Sequence, residues 1–117
     1  MNCVFCGIVA GRLPAEFVGS TSGFAMAFRP LGPVVPGHVL FVPRGHFPDA
    51  ASDPKATGIV MEAAARYAKE QGEPFNLITS AGAAATQTVF RLHIHYVPRR
   101  DGDGLTLPWT GQVKSGG

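Results

Sequence analysis

The sequence predicts an α+β domain: a mainly antiparallel sheet of about five strands carrying one long helix and a short N-terminal helix. Three features predict it. One segment, residues 53–72, has strong helical periodicity. The other apolar runs are short and mostly bounded by glycine or proline. With a single helix to connect strands, a doubly wound parallel sheet has too few crossovers. The 15 glycines and 10 prolines fall mostly between the apolar runs, where turns belong.

Cys3 to Gly11 carries Val4, Phe5, Ile8 and Val9 at helical spacing, enough for one or two turns ending near Gly11. Phe24 to Phe28 alternates Phe24, Met26 and Phe28 against Ala25 and Ala27, a strand pattern. Pro30 to Gly37 reads as loop. His38 to Val42 is apolar and partly β-branched, a second strand that Pro43 should close. Asp53 is a good N-cap, and Pro54 suits the first helical position. Ala56, Ile59, Val60, Ala63, Ala64 and Tyr67 form the apolar stripe, and Gly72 is placed to end the helix. Phe75 to Thr79 is a third strand, and Ser80 to Thr86 is a loop of small residues. A strand over 87–97 follows, and Pro108 limits regular structure in Leu105 to Thr110.

At 117 residues the chain is sized for one domain, expected over 1–111, with 112–117 as a flexible tail ending in Ser115-Gly116-Gly117. A hydrophobic fraction of 45% and a charged fraction of 15% fit a folded globule. The formal charge of +2 is too small to argue for a nucleic-acid polymer as partner, and no basic run is interleaved with aromatics. No apolar stretch approaches the ~18 residues of a membrane span. The N-terminus shows no basic region followed by an apolar stretch, so a cytoplasmic location is expected.

The most informative stretch is Gln87-Thr88-Val89-Phe90-Arg91-Leu92-His93-Ile94-His95-Tyr96-Val97-Pro98-Arg99. As a strand it points Phe90, Leu92, Ile94 and Tyr96 one way, and Val89, Arg91, His93, His95 and Val97 the other. The second face then carries two imidazoles and a guanidinium at intervals of about 7 Å. A histidine on a rigid element can attack phosphorus, provided one ring nitrogen is free and something holds the other, usually a backbone carbonyl. A second histidine two residues on can bind a phosphate oxygen or protonate a leaving group. Gln87 and Thr88 add polar donors. The small-residue loop before them lets backbone N–H groups approach a phosphoryl group closely.

Read together, Gln87-Thr88-Val89-Phe90-x-Leu92-His93-Ile94-His95-x-x-Pro98-Arg99 resembles the signature of the histidine triad (HIT) family. So do two earlier blocks, in order: Cys3-Val4-Phe5-Cys6-x-Ile8-Val9-Ala10-Gly11-x-Leu13-Pro14 and Pro33-Val34-Val35-Pro36-Gly37-His38-Val39-Leu40-Phe41-Val42-Pro43-Arg44-x-His46. The resemblance covers roughly residues 3–110. It implies a HIT-like fold and a nucleotide hydrolase or nucleotidyl transferase that attacks the α-phosphate of a purine nucleotide conjugate through a nucleotidyl-histidine. By position, His93 is the implied nucleophile, His95 binds phosphate or protonates the leaving group, and His38 lies near both. Gln87, Thr88, Arg91 and Ser80 are the implied phosphate contacts. Val4, Phe5, Ile8, Phe28, Leu31 and Leu40 are the implied base pocket, with ordinary core as the competing role. Arg91 replaces the first triad histidine; it either reaches phosphate or is solvated. Pro30 replaces the usual ribose-binding aspartate, Ser80 an asparagine, and Thr86 a glycine.

Cys3-x-x-Cys6 admits several readings. A disulfide is disfavoured in the cytoplasm, and a redox pair would want a strand before it. A metal site and two free packed thiols remain. The resemblance implies a structural zinc on Cys3, Cys6 and His46, with Arg91 in the place of the fourth ligand; no cofactor is implied for catalysis. It also implies a homodimer, to which Trp109 would contribute a contact unless it plugs its own core. Two other functions compete. One is a nucleotide-binding module with little catalysis, motivated by Arg91, Pro30 and Ser80. The other is a metal-dependent hydrolase using His38, His46, His93 and His95, which lacks a nearby carboxylate.

Overall fold

The structure is a computed structural model, and it describes residues 3–19 and 23–107. Trp109 and the 112–117 tail lie outside the described residues.

The first helix, α1 (Val4–Val9), begins at Cys3, whose sulfur accepts from the Cys6 N–H at 3.2 Å. It is shorter than the Cys3–Gly11 span expected and buries Phe5 and Ile8. Strands β1 (Ala25–Phe28) and β2 (Val39–Pro43) follow, then helix α2 (Pro54–Gln71), β3 (Phe75–Ile78) and β4 (Ile94–Pro98). The sheet runs β1-β2-β4-β3 and every pairing is antiparallel. It has four strands where about five were expected; Phe17 adds only a lone bridge to Phe28 at the β1 edge.

Both faces of the sheet are covered, so all five residues of β2 are buried. On one face Val39 and Phe41 pack with Ala25, Ala27, Ile94 and Tyr96 against the α2 stripe. The alanines of β1 are the close-approach surface, and α2 meets them with its own small residues, Ala56, Ala64 and Ala68, around Val60. On the other face Leu40, Val42 and Phe28 meet Phe5 and Ile8 of α1. The caps of α2 are those the sequence predicts. The Asp53 carboxylate accepts from the Ala56 N–H at 3.1 Å, and Gly72 closes the helix in the left-handed region at φ 65°.

The strand expected over 87–97 is cut to residues 94–98. Its partner sets the limit. Phe41 pairs with Ile94, so continuing the ladder would require an N–H from Pro43, which has none. Leu92 instead donates to the Phe47 carbonyl at 2.6 Å, and residues 87–93 are held by side-chain tethers.

Candidate active site

Three histidines converge where β2 and β4 run side by side. His95 lies in β4 opposite Leu40 of β2 and Ile78 of β3. His93 comes just before β4, and His38 just before β2. Gly37 places His38: its φ is +92°, and a Cβ there would stand 3.1 Å from Pro98 Cγ, so only glycine fits.

Hydrogen bonds order the three rings. The Val34 N–H donates to His38 Nδ1 at 3.2 Å, so the His38 proton is on Nε2. Nε2 is 2.9 Å from His95 Nδ1 and donates to it. His95 therefore carries its own proton on Nε2. The His93 Nδ1–H donates to the Arg91 carbonyl at 2.7 Å, which leaves the His93 Nε2 lone pair unshared. The His93 and His95 ring centroids are 5.1 Å apart, so one acceptor nitrogen and one donor nitrogen share a small space. Phe5 meets His93 edge-on at 4.9 Å and fixes the ring from below.

Burial keeps these rings neutral. His95 is pushed down to about 4 by burial, with the charges of His93 and His38 adding to it. Burial also lowers His38. It lowers His93 as well, against the opposing pull of the Arg91 carbonyl.

The histidines open onto a cleft of about 260 Å³ walled by β3, β4, the 80–87 loop and residues 105–107. A larger cavity of about 530 Å³ runs along α2, but it holds no histidine and its charged groups belong to the solvent face of the helix. The chemistry belongs to the smaller cleft. Ser80 and Gln87 line it. The Gln87 side chain accepts from Gly82 N–H at 2.8 Å and donates to the Pro48 and Val89 carbonyls, so it braces the loop. Thr88 is exposed and is not among the cleft walls.

Arg91 differs from both roles the sequence suggests. It is neither solvated nor at the phosphate cleft: it is only 1% exposed, and its Nη2 donates to the carbonyls of Pro43, Arg44 and Gly45. The break in the strand before Ile94 releases it from the histidine face. Four of the six residues expected around a base pack together, with Phe5 against His93. Phe5, Ile8, Phe28 and Leu40 are packed as the second core, Val4 is half exposed and Leu31 is 97% exposed.

Arg99 and Asn76 are among the cleft residues that were given no role from sequence. Arg99 enters the cleft with Asn76; its guanidinium donates to Asn76 Oδ1 at 2.7 Å and pairs with Asp103 at 2.7 Å. Arg99 and the backbone N–H groups of Leu105 and Arg100 hold the Asp103 carboxyl well below the usual carboxylate range. The signal was present in the sequence, because strand alternation from His95 through Val97 to Arg99 points all three the same way.

Cys3, Cys6 and His46 form a separate cluster with ligand atoms within 4.8 Å of one another, and Cys6 Sγ lies 3.1 Å from His46 Nδ1. His46 is thereby drawn away from His38, His93 and His95. A single metal held by all four histidines is not assembled.

A four-stranded antiparallel sheet between a short and a long helix, with paired histidines at the entrance to β4, is the fold of the histidine triad (HIT) proteins. The HIT domain model matches residues 11–102, and the chain belongs to the HIT family. An uncharacterized HIT-like protein of Mycobacterium tuberculosis is 36% identical over 114 residues, covering 92% of this chain and 78% of that protein. A protein of Arabidopsis thaliana described as an adenylylsulfatase is 31% identical over 110 residues, covering 89% of this chain and 55% of that one. Among solved structures, a zinc-bound histidine triad family protein of Mycobacterium smegmatis has a TM-score of 0.76 at 37% identity, covering 91% of this chain and 81% of that chain. No helix among the described residues is long and apolar enough to cross a membrane.

Proposed function

We propose that the protein is a nucleotide hydrolase or nucleotidyl transferase in which His93 attacks the α-phosphate of a purine nucleotide derivative, a phosphoramidate or a dinucleoside polyphosphate. The carrying observation is the 2.7 Å bond from His93 Nδ1 to the Arg91 carbonyl, which leaves Nε2 unprotonated. In the first step Nε2 forms a bond to phosphorus and the bond to the leaving group breaks. The positive charge that develops on the ring lies next to the carbonyl oxygen that accepts from Nδ1–H. His95 is neutral, so its Nε2–H serves as a hydrogen-bond donor to a phosphate oxygen and not as a strong acid. A polyphosphate leaving group departs as the anion; an amine takes its proton from solvent. Water then attacks phosphorus and gives its proton to solvent, the P–N bond breaks with its electron pair returning to Nε2, the nucleotide leaves and His93 is neutral again. Arg99 lies close enough in the cleft to offset phosphate charge. A base seated against Val4, Phe5, Ile8, Phe28, Leu31 and Leu40, and assembly as a homodimer, belong to the same proposal.

The test is to mix the protein with adenosine phosphoramidate or a diadenosine polyphosphate, quench in alkali and weigh the intact chain. A nucleotidyl mass increment is expected, absent in His93→Ala, with turnover lowered by at least about 10³-fold. Undiminished turnover in that variant would overturn the reading. Nucleotide binding without any turnover would favour the binding-module alternative.

A further inference from the structure

We propose that the Arg91 guanidinium takes the place of a structural metal ion, tying together α1, the turn after β2 and the segment that enters β4. The Cys3, Cys6 and His46 atoms are gathered as three corners of a Cys/His site. A closed structural zinc site wants four ligands with lone pairs. A guanidinium has five N–H donors and no lone pair, so it cannot ligate. Here a guanidinium stands beside the cluster, its Nη2 donating to the Gly45 carbonyl, one residue before His46. It is 1% exposed and already anchored by three carbonyls of residues 43–45, so no lone-pair side chain takes its place among the described residues, and His46 stays exposed. The residues present therefore do not fit a closed structural zinc, unlike the name of the M. smegmatis relative.

The anchoring itself resembles what a structural metal does. The three carbonyls belong to the turn that carries His46, the sulfurs flank the start of α1, and Arg91 belongs to the approach to β4. One planar cation thus joins three segments distant in sequence. Among the described residues, the Arg91 Nε is buried without a hydrogen-bond partner and no carboxylate forms an ion pair with the guanidinium.

Metal content and thermal melting of the full chain, purified without chelators, test this. The expected result is less than about 0.1 equivalent of zinc and a Tm unchanged by EDTA or by added zinc. Cobalt(II) should give no tetrahedral thiolate spectrum. Arg91→His supplies the missing lone pair, and should take up about one equivalent of zinc, gain the cobalt spectrum and melt higher with metal than without. Arg91→Met leaves the three carbonyls unpaired and should lower Tm by on the order of 5 °C without metal. A wild-type protein that holds about one equivalent of zinc and loses Tm in EDTA overturns the proposal. So does an Arg91→Met protein that melts as wild type. The wild-type measurements decide the matter even if a variant fails to fold.

Discussion

A nitrogen lone pair is available on His93 because a carbonyl two residues earlier occupies the other nitrogen. That carbonyl belongs to Arg91, whose side chain is anchored in the opposite direction by residues 43–45. The residue that replaces a triad histidine thus contributes through its backbone and not through its charge. Thr86 shows the cost of another replacement. It adopts φ 71° and ψ 20°, a left-handed conformation that a β-branched residue tolerates poorly, at the position where the family pattern has glycine. Its side chain is exposed, so little packing is lost by removing it. Thr86→Gly is expected to stabilise the protein by about 0.5–1 kcal/mol, the relief of strain less the extra chain entropy of glycine, measured by urea denaturation. An unchanged or lower midpoint would show that the loop is not strained at this residue.

At the scale of elements, β2 is the organiser. It is covered on both faces, it pairs with β1 and β4, and its final proline ends the β4 ladder. The ladder end sets the site, because it lets His93 leave the strand line while His95 remains in it. Helix α2 then backs the sheet, and its cap geometry is a local matter. Asp53→Ala removes the acceptor for the Ala56 N–H and should cost about 1 kcal/mol without altering turnover, since the cap is remote from the cleft. Chemical denaturation and a kcat comparison check both halves of that statement.

For the whole molecule, the three histidines of the site couple folding to pH. The folded His95 has a pKa of about 4 against an ordinary 6.5, and His38 and His93 are lowered as well. Unfolding restores ordinary basicity, so below about pH 6.5 the unfolded chain binds more protons than the native one. Stability is full above pH 6.5 and falls as pH drops toward 4. The slope is at most about 1.4 kcal/mol per pH unit for each histidine. His95→Gln should flatten it, as read from melting temperatures between pH 4.5 and 7. A wild-type Tm independent of pH in that window would contradict the neutral, mutually hydrogen-bonded arrangement.

The sequence by itself was enough to predict an α+β chain with a capped long helix, the short apolar strands and the convergence of His38, His93 and His95. Those features rest on local periodicity, on cap chemistry and on ordered motifs, all of which are written along the chain. Tertiary structure decided the rest. Alternation alone placed Arg91 on the histidine face, but alternation holds only while a strand has a partner, and Pro43 withdraws it. Phe5, Ile8, Phe28 and Leu40 suit a pocket or a core equally well by type; the packing of α1 on the sheet is what gathers them, with Phe5 against His93. The bracing of Gln87, the tautomers of the three rings and the entry of Arg99 into the cleft also depend on which distant groups meet. Hydrogen bonds between residues forty or fifty positions apart leave no local pattern to read.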